Sequence, residues 1–354
     1  MIENLVRQVQ ANCQVANASQ AGNFSLCGLL LRLRQLYKWE HGLLPWQEPE
    51  PAPVLAWVES QENLWESLEG EAPAALSVNG SLADPFAVDT LNAWLKAHGL
   101  AYGAGLSRGL APTFFLGELA QVRRLGEATV FILDRELARD LDGSPALCQD
   151  TLIYVRRQTL AFYLWDRLSD PTQQGNRLVN AALESRGLSL LDLLRQPHRH
   201  QARFQDLLAD EVESALHHEL GELGEKGMRQ AFYALLERFP QSRAEVWGRG
   251  LKDALAEVSD SGRLAYLIRE RRFASLALFL AWQPGLYPLL LPELEPACRE
   301  LRDGGWEALE EARGRALERL RGIAAELQDL LEARRSDSET QAELDRRFLQ
   351  PLGL

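Results

Sequence analysis

The chain has 354 residues, and 50 Asp and Glu against 38 Lys and Arg give it a formal net charge of −12. Hydrophobic residues make up 46% and charged residues 25%, the balance of a globular protein with one large or two ordinary domains. This charge argues against a general nucleic-acid surface, which depends on clustered Lys and Arg. No segment has signal-peptide character or approaches about 18 consecutive apolar residues, so we expect a cytoplasmic protein with no membrane span.

The N-terminal half predicts helices that cover a small antiparallel sheet. One helix is expected over 23–41, ended by Gly42. The clearest β-hairpin signal in the chain lies near 100–118, with its turn at Ser107-Arg108-Gly109. A further strand is expected at 128–133. Residues 151–155 give a weaker strand signal.

The C-terminal half is almost wholly helical in its pattern, and its longest amphipathic helix lies near 306–335. A seam with alternating spacings of four and three runs through Ala316, Leu320, Ile323, Leu327 and Leu330. This seam suits either a homodimer through 306–335 or a helix that lies on its own domain.

These patterns together predict the fold class and the domain organisation. We expect a predominantly α-helical α+β protein, in which a small antiparallel sheet packs with helices and a helical half follows. The predicted domains are 1–143, which contains the hairpin, and 144–354, which ends in the long amphipathic helix.

One acidic residue, Glu219, falls on the apolar face of a predicted helix. At about 100° per residue, that face consists of Leu208, Val212, Ala215, Leu216 and Leu223. A carboxylate buried there must protonate, pair with a cation or bind a metal, since an unpaired buried charge costs several kcal/mol or more. Glu219 is therefore the candidate catalytic residue of the chain.

Glu211, His218 and Glu222 flank the same face, so four metal-ligand side chains converge on one side of this helix. Carboxylates and an imidazole suit a divalent first-row metal, and residues four apart are neighbours on a helix. The spacing matches neither His-Glu-x-x-His nor the Glu-x-x-His of di-iron bundles. The sequence predicts no other cofactor, because glycines around the hairpin lack the spacing of phosphate-binding loops.

Pairing with Arg34 is the other way in which a buried Glu219 would be neutralised. It shares a face of the predicted helix 23–41 with apolar residues, and an arginine cannot lose its charge when it is buried. We therefore predict that Arg34, or a similar buried arginine, forms a buried ion pair with Glu219. Glu40 and His41 lie further along the same face and could complete a site there.

Three segments form a combination that resembles a known family. They are Asn23–Cys27 leading to Leu33–Glu40, Phe114–Leu119 followed by Glu136–Leu141, and His218–Glu222. The combination resembles an uncharacterised family of bacterial proteins of about this length, with a domain of unknown function and a His-Glu-x-Gly-Glu segment. The resemblance covers most of the chain, implies a bacterial origin and adds weight to Glu219 and Glu222. It implies no activity.

Two functions of different classes are consistent with these patterns. The favoured one is a protein-interaction or scaffold role, in which an acidic surface and a long charged helix contact another protein. The alternative is a metal-dependent, hydrolase-like enzyme, with an ion held by Glu211, His218 and Glu222 and with Glu219 as base or fourth ligand. The sequence leaves open whether the chain is an enzyme.

Overall fold

A computed structural model describes residues 2–106, 111–283, 285–300 and 305–354, and the predicted hairpin turn at 107–109 lies outside these ranges. The chain divides into two compact units, Met1–Asp170 and Pro171–Leu354. Beyond residue 143 the first unit contains two more strands and a helix. Among the described helices, none combines the length and the apolar character needed to cross a membrane.

The first unit combines helices with two sheets. Its helices are α1 (Ile2–Gln20), α2 (Leu26–Glu40), α3 (Pro51–Ser67), α4 (Val88–Leu95) and α5 (Arg157–Ser169). Its strands are β1 (Leu76–Val78), β2 (Ser81–Ala83), β3 (Leu100–Leu106), β4 (Pro112–Leu125), β5 (Ala128–Arg139), β6 (Ala146–Gln149) and β7 (Leu152–Arg156). The predicted α+β class with a helical majority is confirmed.

The larger sheet has the strand order β3-β4-β5-β7-β6, and β1 pairs with β2 in a separate ribbon. The predicted hairpin is confirmed, since β3 and β4 pair antiparallel over their described residues, from Leu100 opposite Glu118 to Leu106 opposite Pro112. The strand predicted at 128–133 is part of β5. Within this sheet β5 and β7 run parallel, so their carboxyl ends meet at the same edge.

Side chains alternate between the two faces of the sheet, as the pleat of a strand requires. Phe114 and Leu116 pack with Leu5 and Val9 of α1 in one cluster. Phe115, which lies between them on β4, packs on the other face with aromatic residues of β5 and β7. Apolar side chains are therefore buried on both faces of the sheet.

The second unit is built from helices. They are α6 (Arg177–Glu184), α7 (Leu190–Arg195), α8 (Pro197–Gly224), α9 (Lys226–Arg238), α10 (Arg243–Val258), α11 (Arg263–Arg269), α12 (Phe273–Ala281), α13 (Tyr287–Leu290), α14 (Leu294–Glu300), α15 (Trp306–Glu332) and α16 (Asp337–Leu344). Short turns of helix at Asp345–Leu349 and Gln350–Leu352 follow.

The long helix expected in the C-terminal half is α15, and its apolar seam is covered within the chain. Leu320 and Leu327 are fully buried and join one core with Leu235 of α9 and Leu251 of α10. Ile323 packs against the same core while partly buried. The apolar seam of α15 therefore packs within the core of its own unit.

Gly103 has no side chain, and the Phe115 ring of the neighbouring strand occupies the space in which one would lie. A Cβ atom at Gly103 would lie 2.0 Å from this ring, which belongs to the cross-strand neighbour of Gly103. The ring cannot move aside easily, since it is fully buried and the Arg156 guanidinium carbon lies 4.4 Å from its centroid.

We predict that Gly103→Ala destabilises the protein by about 2 kcal/mol, because overpacking a buried contact forces side chains out of their preferred positions. Urea unfolding followed by far-UV circular dichroism measures the change. Gly105→Ala on the same strand is the matched control, since its Cβ atom would meet only a Thr113 methyl group at 4.0 Å. Equal unfolding midpoints for the two variants would contradict the close approach.

Candidate functional site

Helix α8 carries the four residues that the sequence analysis selected as metal ligands. Pro197 occupies its first turn, where a missing N–H costs nothing, and its apolar face is buried through Leu208, Val212 and Leu216. Glu219 lies on this face and is 6% exposed. The predicted burial of Glu219 is therefore confirmed.

Gly221 sets the distance between α8 and α10. A Cβ atom at this position would lie 2.1 Å from the Ala256 carbonyl oxygen of α10, so only glycine lets the two backbones come this close. His218 and Glu222, one turn apart on α8, are thereby brought to the charged residues of α10. The glycine inside the His-Glu-x-Gly-Glu segment thus has a packing role.

His218 lies between two carboxylates. Its Nδ1 is 3.0 Å from a Glu257 oxygen, and its Nε2 is 3.4 Å from a Glu222 oxygen. Burial alone would lower the pKa of His218, but these carboxylates outweigh it and hold the pKa well above 6.5. The side chain is accordingly an imidazolium near neutral pH, with both N–H groups directed at carboxylates.

Glu257 is the acceptor that joins α8, α10 and α11. One of its oxygens accepts hydrogen bonds from His218 at 3.0 Å, from Arg263 at 3.0 Å and from the Tyr287 hydroxyl at 3.1 Å. Burial raises the pKa of Glu257, yet the neighbouring Arg263 and His218 keep it below its usual value. Glu257 is therefore a buried carboxylate neutralised by protein cations.

Lys252 neutralises the other end of the cluster. Its ammonium group contacts Glu222 and lies 2.9 Å from an Asp253 oxygen. Burial lowers the pKa of Lys252, but Glu222 and Asp253 raise it above its ordinary value. Burial also raises the pKa of Glu222, which Lys252 and His218 then hold far below its usual range. Both groups stay charged.

We use the name ion network for the set His218, Glu222, Lys252, Asp253, Glu257 and Arg263.

The ion network fits a metal ion poorly. Within the described ranges, ligand atoms close enough to hold one ion come from His218, Glu222 and Asp253, and they lie within 4.8 Å of one another. However, the Lys252 ammonium already bridges Glu222 and Asp253, and a metal-bound imidazole needs a bare nitrogen. Protein cations thus take the place in which a metal would bind.

Glu211 and Glu219, the other two predicted ligands, do not belong to this group of three. Burial raises the pKa of Glu211 to about 7, and Ser275 of α12 and Arg263 oppose the rise. Burial and the Glu222 charge raise the pKa of Glu219 to about 7 as well. Each carboxyl thus keeps its proton to a higher pH than an exposed glutamate does.

The predicted pairing of Arg34 with Glu219 is replaced by pairs within the first unit. Arg34 donates to Glu48 through Nε at 3.0 Å and through Nη2, and to Asp166 through Nη1 at 2.7 Å. Its guanidinium is therefore fully engaged. The physical reason for the error is that these acids lie far from Arg34 in the sequence, where helical spacing does not reveal them.

Glu40 and His41, predicted beside Arg34, lie at the surface. Glu40 is exposed and accepts a hydrogen bond from the Trp57 indole at 3.2 Å. His41 is also exposed, and its ring stacks on Tyr37 with the centroids 3.9 Å apart. Neither residue takes part in a buried site as the sequence analysis expected.

The first unit contains a second set of buried charges, which was not predicted from the sequence. Glu136 of β5 accepts hydrogen bonds from Arg156 of β7 and from the Thr159 hydroxyl, and Arg139 lies 3.5 Å from it. Glu136 and both arginines are at most 4% exposed. A partial signal was available, since Arg156 directly follows one apolar run, Glu136 comes three residues after another, and parallel strands point their carboxyl ends to the same edge.

The fold and the site define a two-unit α+β protein whose helical unit contains a buried ion network. The chain belongs to a family of unknown function, DUF6866: the N-terminal domain of that family matches residues 4–156 and its C-terminal domain matches residues 161–350. The two matches fall within the two compact units, apart from residues 161–170. Neither a curated protein nor a solved structure matches the chain.

We predict that Glu219 makes stability depend on pH. Its pKa of about 7 in the folded chain exceeds the ordinary value of 4.5, so protonation stabilises the fold fully below about pH 4.5. This contribution is lost as the pH rises towards 7. From about pH 5 to about pH 8, the free energy of unfolding of the wild type should fall by about 2 to 3 kcal/mol relative to that of Glu219→Gln. Chemical denaturation at both pH values measures the difference.

The control for this measurement is Glu318→Gln, which removes an exposed acid of α15. Its free energy of unfolding should change with pH as that of the wild type does. If the free energy of unfolding of Glu219→Gln changes with pH in the same way, the carboxyl of Glu219 does not change its protonation between the folded and unfolded chains in this range.

Proposed function

We propose that this chain is a protein-binding component, and that it uses α2 and α3 to bind an apolar, basic polypeptide segment of another protein. The observation that carries the proposal is a set of exposed apolar side chains on α2. Leu26, Leu30 and Leu31 are 74%, 55% and 52% exposed. Large contiguous apolar patches are uncommon on soluble monomers, and they mark sites of association.

The exposed side chains of α2 are neighbours on one side of the helix. Leu26 and Leu30 are one turn apart, as are Cys27 and Leu31, and all four are exposed. We call these four residues the leucine face. A surface helix ordinarily points its apolar stripe inward and polar residues outward, but α2 buries Leu33 and also presents leucines to solvent. An apolar partner would remove this surface from water.

The charge around the leucine face indicates the chemistry of the partner. Residues 39–95 contain ten Asp and Glu and no Lys or Arg. Three of these acids, Glu59, Glu62 and Glu66, recur at three- and four-residue spacings on the exposed side of α3, which packs beside α2. Complementary charge steers encounter and rejects acidic partners. A basic segment with large apolar side chains is therefore the partner that suits this surface.

The experiment uses a fluorescein-labelled amphipathic helix made of Leu and Lys, titrated with the full-length protein and followed by fluorescence anisotropy. We expect saturable binding that weakens as salt is added, because exposed charges are screened. The double variant Leu26→Ser, Leu30→Ser should bind at least about tenfold more weakly, since losing a central apolar contact costs more than 1 kcal/mol. A peptide of Leu and Glu should bind far less.

Matched controls come from exposed leucines elsewhere. Leu82 and Leu191 are 78% and 50% exposed, and changing both to Ser should leave the affinity unchanged. Equal losses in the two double variants, or equal affinity for the Leu-Lys and Leu-Glu peptides, would overturn the proposal. So would a dimer in sedimentation velocity that only the leucine-face variant dissociates, because the face would then be covered by a second copy of the chain.

A further inference from the structure

The second unit contains a cavity of about 530 Å³. Residues of α6 and α12 form part of its wall. Residues of α13 and α14, and residues between the helices, form the rest. Leu291 and Leu294 line it and also belong to the apolar core, so this part of the wall is held by packing. A volume of this size lies within the range of small-molecule sites, which are concave and mostly apolar.

The lining combines apolar side chains with a few polar groups. Leu178, Leu280 and Pro288 contribute apolar surface beside the two core leucines, and Arg177, Gln283 and Glu295 contribute polar groups. Such a composition holds the body of a ligand by the hydrophobic effect and orients it through a small number of polar contacts.

Arg177 is the group that selects a ligand charge. It is exposed at the first position of α6, and no carboxylate among the described residues forms an ion pair with it. The N-terminal amides of α6 are already used, since the Asn176 side chain accepts from the amides of Leu178 and Val179. The guanidinium therefore has its donors available to a carboxylate, which it binds in a bidentate geometry.

Cys298 also lines the cavity, but its chemistry indicates binding without covalent bond formation. Burial and the nearby Glu295 raise the pKa of the Cys298 thiol to about 11. A thiol that keeps its proton is a weak nucleophile and a poor ligand for metals. Cys298 therefore contributes a small apolar surface to the wall.

We propose that this cavity binds an apolar molecule that carries one carboxylate, with the carboxylate on Arg177 and the hydrocarbon body against Leu280, Leu291 and Leu294. The proposal does not depend on the protein-binding role of α2 and α3, because different residues in a different unit carry it. The ligand class follows from the apolar wall and from Arg177, which forms no ion pair with a described carboxylate, Glu295 of the same wall included.

Isothermal titration calorimetry of the full-length protein with sodium decanoate, below its micelle concentration, tests this site. We expect saturable binding of one decanoate per chain. Arg177→Gln should weaken the affinity at least tenfold, and decyltrimethylammonium, with the same hydrocarbon length and the opposite charge, should bind at least tenfold more weakly than decanoate. Arg195→Gln, at an exposed arginine near the end of α7, should bind decanoate like the wild type.

Two further variants separate this cavity from other apolar surfaces. Cys298→Trp fills the cavity and should abolish binding, and a circular dichroism melt shows whether this variant is folded. The double variant Leu26→Ser, Leu30→Ser should retain full affinity for decanoate. The proposal is overturned if decanoate gives no saturable heat, if Arg177→Gln or a folded Cys298→Trp binds like the wild type, or if the leucine-face variant alone loses binding.

Discussion

The contact between α8 and α10 at Gly221 is the constraint on which the charged interior of the second unit depends. Because the α8 backbone lies directly against the Ala256 carbonyl, the side chains one turn to either side cannot avoid α10. His218 and Glu222 flank this contact, and α10 and α11 supply Lys252 and Arg263 to the same cluster. Glu222 and Glu257 stay ionised there because each has a cation within reach.

In the first unit, buried charges are paired between strands and not between helices. Glu136 lies on β5, three residues beyond Leu133, and meets Arg156, which is the register partner of Leu133 at the end of the parallel neighbour β7. Asp140 accepts hydrogen bonds from Thr113 and from the Phe114 amide. Glu136 and Asp140 thus hold elements of the first unit together, as Glu222 and Glu257 do in the second. The two binding sites that we propose, the leucine face of α2 and the cavity beside α6, use other residues.

The local parts of this structure were predictable from the sequence, and the long-range parts were not. The burial of Glu219 follows from the period of one helix, and the hairpin follows from two strands joined by a short turn. The partners of the ion network were missed because Lys252 and Arg263 lie on other helices, and spacing within one helix does not report which helices cross. The pairing of Glu136 with Arg156 was missed for a similar reason, since it depends on a parallel register.

The central claim is that the His-Glu-x-Gly-Glu segment forms a network of protein charges and not a metal centre. The most direct measurement is a two-bond ¹H–¹⁵N NMR correlation of histidine-labelled, full-length protein at about pH 7, with His218 assigned through His218→Gln. With a carboxylate facing each ring nitrogen, both nitrogens of His218 should be protonated. A neutral His218 ring with one bare nitrogen, or a metal-bound pattern, would contradict the account.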